Sequence, residues 1–324
     1  MKRRWLVSLS LLLVVILTAC SQSSEEEAKE RVKIGVMLSD AGLGDQSFSD
    51  IAFEGLEKAR DELDITFDYR ELEISGTYKQ GLEELMAEGQ DLIIGIGFGV
   101  QEDLETIAKA NSDQKFLLID AESDLPNIHN VTFKDNEGSF LIGALAAMKT
   151  KSNVVGFIGG VKNPVIEGFE DGYVAGAKHV NPEVEILSVY AEDFGNEQLG
   201  ASITRDMIEQ GADFIYPAAG FTGVGAILAA QKAGIHAFGV DSDQFFIAED
   251  TIVSSMLKRV DTAVYQAINE IVETGSISEK DMVLGLKDNG VSLAPIRVIS
   301  LTTQEQKQIE DLQQKLSDGQ LTIK

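Results

Sequence analysis

Ile34–Met37 reads IGVM and Val155–Ile158 reads VGFI, 121 residues further on, and that interval recurs along the chain. It superposes Gly35 on Gly156, Phe48 on Phe169 and Gly55 on Gly176. It also carries Met86 to Met207, Glu88 to Glu209, Gly99 to Gly220 and Asp120 to Asp241. One slip of a residue is needed, where EGQDLIIG (88–95) faces EQGADFIY (209–216). A few glycines align by chance. Strand, helix and loop positions that all keep one interval point to a duplicated unit.

Within the first copy, Val/Ile/Leu-rich runs at Val32–Leu38, Ile65–Leu72, Asp91–Ile96 and Lys115–Ile119 alternate with segments of helical period at Ser47–Leu63, Thr77–Glu88 and Gln101–Ala110. Continuous apolar strands separated by helices predict a parallel sheet covered on both faces. The pattern starts again at Val154–Ile158. At roughly 150 residues per domain, 324 residues make room for two such lobes. The expected class is therefore α/β, with two doubly wound parallel-sheet lobes.

That class predicts where a ligand sits. In open parallel sheets the binding crevice lies beyond the carboxyl ends of the strands. Asp120 directly follows FLLI and Asp241 directly follows AFGV, so both carboxylates emerge at such edges. Each alone suits a helix cap or a turn; as a pair related by the duplication they suit opposite walls of a ligand cleft. Gly99 and Ala218-Ala219-Gly220 fall where the chain leaves other strands, and their small size lets backbone approach a ligand. Asp40 stands two residues beyond the first strand run. Ser47 and Asp50 have capping-box spacing, so a helix should open at Phe48 with its first turn on the same crevice. A phenylalanine there either packs into the core or presents its face to a planar ligand.

DAGLGDQSFSDIAFEGL (40–56), VDSDQ (240–244) and SSMLKRVDTAV (254–264) together resemble the basic membrane protein family of bacterial lipoproteins, which includes PnrA-like purine nucleoside-binding proteins. The resemblance covers essentially the whole mature chain, taken from Cys20 onward. It implies the type I periplasmic-binding-protein fold, its lobes joined by a hinge, and delivery of a nucleoside, with a purine as the expected base, to an ABC transporter permease. Carried over by position, it implies that Asp40 contacts the base and that Phe48 stacks on one face of it. Phe194, in AEDFGNEQLG (191–200), would be the stacking aromatic from the other lobe. Asp120, Asp241 and Lys258 would surround the nucleoside, the last two at the ribose, and Gly220 or Gly223 would meet the ligand through its backbone. The chain departs from the family pattern at Ala41 and Ser49, where Asn is common. An amide missing beside Asp40 removes a donor and an acceptor from the base end.

Lobe boundaries follow partly from the resemblance. Residues 32–134 with 254–278 would form the first lobe, and residues 135–253 with 279–324 the second. The chain would cross near Lys134–Asn136, Thr251–Ser254 and Gly275–Asp281. A helix at Asp261–Thr274 would return to the first lobe, and the amphipathic stretch Thr303–Leu316 to the second.

The first residues read as an address. Lys2, Arg3 and Arg4 precede an apolar run that ends in Leu17-Thr18-Ala19-Cys20, too short for a comfortable membrane span. Residues 1–19 are expected to be a signal peptide. The closing tetrapeptide resembles the bacterial lipobox, in which Cys20 is lipid-modified; two acyl chains give a stable anchor where one is marginal. SQSSEEEAKER (21–31) then serves as a polar tether. The expected location is the extracytoplasmic face of the cell membrane. Cleavage before Cys20 removes three positive charges and the single Trp, Trp5, so aromatic ligand contacts must come from Phe, Tyr or His.

Other classes are disfavoured by what is missing. With 27 basic against 53 acidic residues, the net charge of −26 repels phosphate backbones and argues against nucleic acid as a partner. One Cys allows neither an internal disulfide nor a cysteine metal cage. There is no P-loop, GxSxG or HExxH, and GIGFGV (95–100) lacks GxGxxG spacing. His129, His179 and His236 are scattered, and no cofactor, metal or catalytic residue is expected. Two other readings keep the cleft but change its use. One is a ligand-sensing regulatory surface lipoprotein; the other is a binding protein for a sugar or other small solute.

Overall fold

The computed structural model describes residues 31–323. The expected signal peptide and the lipid site Cys20 lie outside them, as does nearly all of the tether. Among the described residues, no helix is long and apolar enough to cross a membrane.

The strands are β1 (Lys33–Met37), β2 (Thr66–Arg70), β3 (Leu92–Ile96), β4 (Lys115–Ile119), β5 (Ile128–Phe133), β6 (Val154–Gly159), β7 (Glu185–Tyr190), β8 (Phe214–Ala218), β9 (His236–Asp241), β10 (Ile252–Lys258), β11 (Asp281–Leu284) and β12 (Val291–Leu293). They form two sheets of six, in the orders β11-β5-β4-β3-β1-β2 and β12-β10-β9-β8-β6-β7. Pairing is parallel throughout except between β10 and β12. The strand order of one lobe repeats in the other, as the duplicated sequence requires. β3 and β8 are buried along their whole length, which is why they read as unbroken apolar runs.

The duplication extends to backbone conformation. Asp120 and Asp241, both at strand ends, have φ of +62° and +63°. Left-handed conformations are costly for most residues, and Asp tolerates them better than most. Strain of this kind at two equivalent strand ends is the sort that persists at functional positions.

Sheet membership moves two of the expected lobe boundaries. Ser254–Lys258 complete β10 in the second sheet, so the chain re-enters the first lobe at Arg259 and not at 254. Asp281–Leu284 pair with β5 in the first sheet, although residues from 279 onward were expected in the second lobe. The helix Val260–Thr274 packs on Phe48–Leu63 in the first lobe, and Thr303–Ser317 packs on Asp135–Lys149 in the second. Three crossings therefore join the lobes, after Phe133, after Lys258 and after Leu284. They lie together: Lys134 N–H donates to Leu284 O at 2.9 Å, and Arg259 N–H to Gly290 O at 2.9 Å.

Candidate functional site

Carboxyl ends of strands from both sheets converge on one cleft with about 650 Å³ of empty space, mouth included. Asp40, Phe48, Asp120, Phe194, Gly220, Asp241 and Lys258 all line it.

Its floor is a charge cluster. Lys258, at the end of β10, is only 1% exposed. Its Nζ lies 2.5 Å from Asp120 Oδ2 and 3.1 Å from Asp135 Oδ1. The rings of Phe48, Phe133 and Phe169 surround the same ammonium, with centroids at 5.3, 5.0 and 5.2 Å. Burial works against the charge on Lys258, but Asp120, Asp135 and Asp241 outweigh it and hold the amine above its ordinary pKa. Burial pushes the Asp135 carboxyl up, against the attraction of Lys258. Asp241 is raised for the same reason, with Lys258 and the Ser47 hydroxyl pulling the other way. Asp120 and Asp241, which line the cleft, share one cation with Asp135 behind it, so the floor has unspent acceptor capacity for a ligand that donates hydrogen bonds.

The wall from the first lobe is the turn 40–47 and the helix Phe48–Leu63. The helix begins at Phe48 as its sequence predicts, but Ser47 does not cap it. Asp45 does: its carboxylate accepts from the N–H groups of Ser47, Ser49 and Asp50 at 2.9, 2.8 and 3.2 Å. Asp50, expected as the other half of a capping box, instead accepts from Gly44 and Gln46 and closes the turn. Ser47 is thereby free to donate from Oγ to Asp241 Oδ2 across the cleft. Buried Asp45 has its pKa pushed up to about 6 by desolvation, the three N–H donors working in the opposite sense. Asp40 keeps an exposed edge at the mouth. Protein on its other sides raises its pKa by burial, partly offset by the N–H groups of Asp40 and Ala41, and Asp193 from the opposite lobe adds repulsion.

Phe194 supplies the aromatic surface of the second lobe. Its half-buried ring lies on the backbone of Gly160, where a Cβ would stand 2.1 Å from a ring carbon. The Phe98 ring comes from the first lobe to 6.4 Å, tilted by 51°. Gly220 opens the helix Gly220–Ala233 behind it. Two further contacts cross the gap onto Gln46: Ser242 Oγ and Gln244 Nε2 donate to its carbonyl oxygen at 3.1 and 3.0 Å.

Sequence reasoning missed Asp135, Tyr78, Phe98 and Phe169 here, and gave Ser47 the wrong task. Phe169 was within reach, because the 121-residue interval places it on Phe48. Asp135 had no such signal: its importance comes from burial against Lys258, 123 residues away.

Comparison with known proteins agrees with this architecture. A family profile described as "ABC transporter substrate-binding protein PnrA-like" matches residues 32–323. Basic membrane protein D of Borreliella burgdorferi is 32% identical over 289 residues, covering 87% of this chain and 84% of that one. The CD4+ T-cell-stimulating antigen of Listeria monocytogenes is 31% identical over 352 aligned positions, covering 99% and 98%. Among solved structures, an ABC transporter solute-binding protein from Aeropyrum pernix superposes with a TM-score of 0.83 at 27% identity, covering 90% of this chain and 92% of that one. With its twin sheets, three lobe crossings and a cleft between the lobes, the chain belongs to the PnrA-like family of ABC transporter substrate-binding proteins.

Proposed function

We propose that the protein captures a nucleoside, with a purine as base, and presents it to the permease of an ABC importer from the outer face of the cell membrane, held there by lipid on Cys20. The observation that carries the ligand is the pairing of two chemistries in one cleft. Phe48 and Phe194 bring aromatic faces from opposite lobes, and Asp120, Asp241 and Lys258 supply polar groups below them. Stacking on aromatic rings is worth ~1–3 kcal/mol per base and tolerates different bases. Carboxylates accept from hydroxyls, which suits the ribose. Asp40 is left for the edge of the base.

The same charges exclude related molecules. A phosphate would meet three carboxylates against one ammonium, so nucleotides should bind far less well than nucleosides. A sugar alone would leave the aromatic surfaces unused. Binding would draw the lobes together and shift the open and closed populations toward closed.

Mass spectrometry of small molecules released from purified protein, followed by calorimetry with inosine, guanosine, adenosine and cytidine, tests the reading. Purine nucleosides should bind, with the corresponding monophosphates at least tenfold weaker. A sugar as the released molecule, or no affinity for any nucleoside, would overturn it. Metabolic labelling with a fatty acid, lost in Cys20→Ala, tests the anchor.

A further inference from the structure

Asp135 lies outside the ligand cleft. It lines the adjoining groove beside Lys134 and Phe133. Its link to the cleft is the ion pair with Lys258: Nζ stands 3.1 and 3.2 Å from its two carboxylate oxygens, and both side chains are almost fully buried. Their places in the chain matter more than the distances. Asp135 begins the helix that follows the first crossing, and Lys258 ends the strand that precedes the second. The two residues therefore belong to the hinge side of the second lobe and stay together whatever the lobes do. Asp120, the other partner of Lys258, ends β4 in the first lobe and departs when the cleft opens.

We propose that Asp135 is a positioning residue: it is the standing partner that keeps the Lys258 ammonium aimed at the floor of the open cleft, ready for Asp120 and the ligand. A lysine stem is flexible and its ammonium is strongly hydrated. Without a fixed anion the head group of Lys258 would leave for water each time the lobes part, and would have to be desolvated and re-aimed at each closure. Asp135 removes that cost in advance. It also accounts for a third carboxylate in a cluster whose ligand-facing pair is Asp120 and Asp241.

The test compares Asp135→Asn with Asp120→Asn in the ligand-free protein, by the rate at which an amine-acylating reagent labels Lys258, read by peptide mass spectrometry. Exposed Lys79 and Lys109 serve as internal references. Asp135→Asn should raise Lys258 labelling about tenfold over wild type, while Asp120→Asn should change it by less than about twofold. Labelling in Asp135→Asn no faster than in Asp120→Asn overturns the proposal. The substitution keeps the side-chain shape and removes one of the surplus buried negative charges, so folding should survive. If it does not, Asp135→Ser gives the same readout.

The consequence for affinity rests on the nucleoside reading. Asp135→Asn should weaken nucleoside binding about tenfold and leave a free purine base within about twofold. A wild type that binds no nucleoside would sink that reading and leave the labelling result to judge this one.

Discussion

On the nucleoside reading Phe48 and Asp241 divide the work of recognition, and substitution can separate them. Phe48→Ala removes a stacking surface worth ~1–3 kcal/mol. Calorimetry should therefore show a loss of roughly ten- to a hundredfold, shared by nucleoside and free base. Asp241→Ala should cost a nucleoside at least tenfold. A free base should lose only a few-fold, the share owed to the broken Ser47 contact. Equal losses for both ligands would remove Asp241 from the ribose. Asp45 offers a different measurement. Burial lifts its pKa to about 6, above the ordinary 3.8. The folded state thus holds this proton more tightly than the unfolded chain, and the stability from that preference is full below pH 3.8 and lost as pH rises through 6. From pH 7 to pH 4 the unfolding free energy of wild type should gain ~2–3 kcal/mol relative to Asp45→Asn. A constant difference between the two proteins would show that Asp45 does not titrate in that window. The misreading of Ser47 comes from the same turn. Capping-box spacing records which side chains can reach a helix end. It does not record that Asp45, two residues earlier, reaches there first, or that a carboxylate 194 residues away waits for the hydroxyl.

At the level of elements, legibility followed burial. Strands covered on both faces read as continuous apolar runs, and the ends of those runs mark Asp120 and Asp241 as residues of the cleft edge. The edge strand Asp281–Leu284 alternates exposed and half-buried residues over four positions, and so resembles a loop. Ser254 and Ser255 are fully buried inside β10, with Ser254 Oγ donating to Ala294 O and Ser255 Oγ accepting from Gln244 N–H. The boundary expected at 254 therefore falls inside this strand, on two serines whose hydroxyls are satisfied within the second lobe. Helix pairing was written in the sequence but needed the structure to be read. A Cβ on Gly172 would stand 2.3 Å from the carbonyl oxygen of Asn136, so the helices Pro164–Val180 and Asp135–Lys149 meet backbone to backbone. Gly172→Ala must push them apart, at a cost of ~1–3 kcal/mol for overpacking. Chemical denaturation measures this directly. Because Asn136 adjoins Asp135, the variant should also lose nucleoside affinity, whereas Gly168→Ala, on the same helix with open space around it, should leave affinity unchanged and raise stability by about 0.5–1 kcal/mol.

Taken as a whole, the molecule is seen with its lobes together, and the contacts that span them fall into two groups. Lys258 with Asp120 and Ser47 with Asp241 involve groups that a ligand would also touch. Ser242 and Gln244 reach past the cleft to the carbonyl of Gln46, a residue with φ of +54° whose N–H donates to the Asp50 carboxylate. Hydrogen bonds that bridge two lobes exist only while the lobes meet, so they contribute to the closed state and nothing to the open one. A ligand that binds by closing the cleft has its apparent affinity set partly by how costly closure is without it. At ~0.5–1.5 kcal/mol net for each bond, Ser242→Ala with Gln244→Ala should remove about 1–3 kcal/mol from the closed state. That corresponds to roughly five- to a hundredfold in affinity, carried mainly by faster release. Free base and nucleoside should suffer alike, unlike in Asp241→Ala, because neither Ser242 nor Gln244 lines the ligand cleft. Small-angle scattering gives the independent check: the variant should need proportionately more ligand to reach the compact radius of the liganded wild type. An unchanged dissociation rate would mean that the strap onto Gln46 persists in both states, and that the lobes part about some other line.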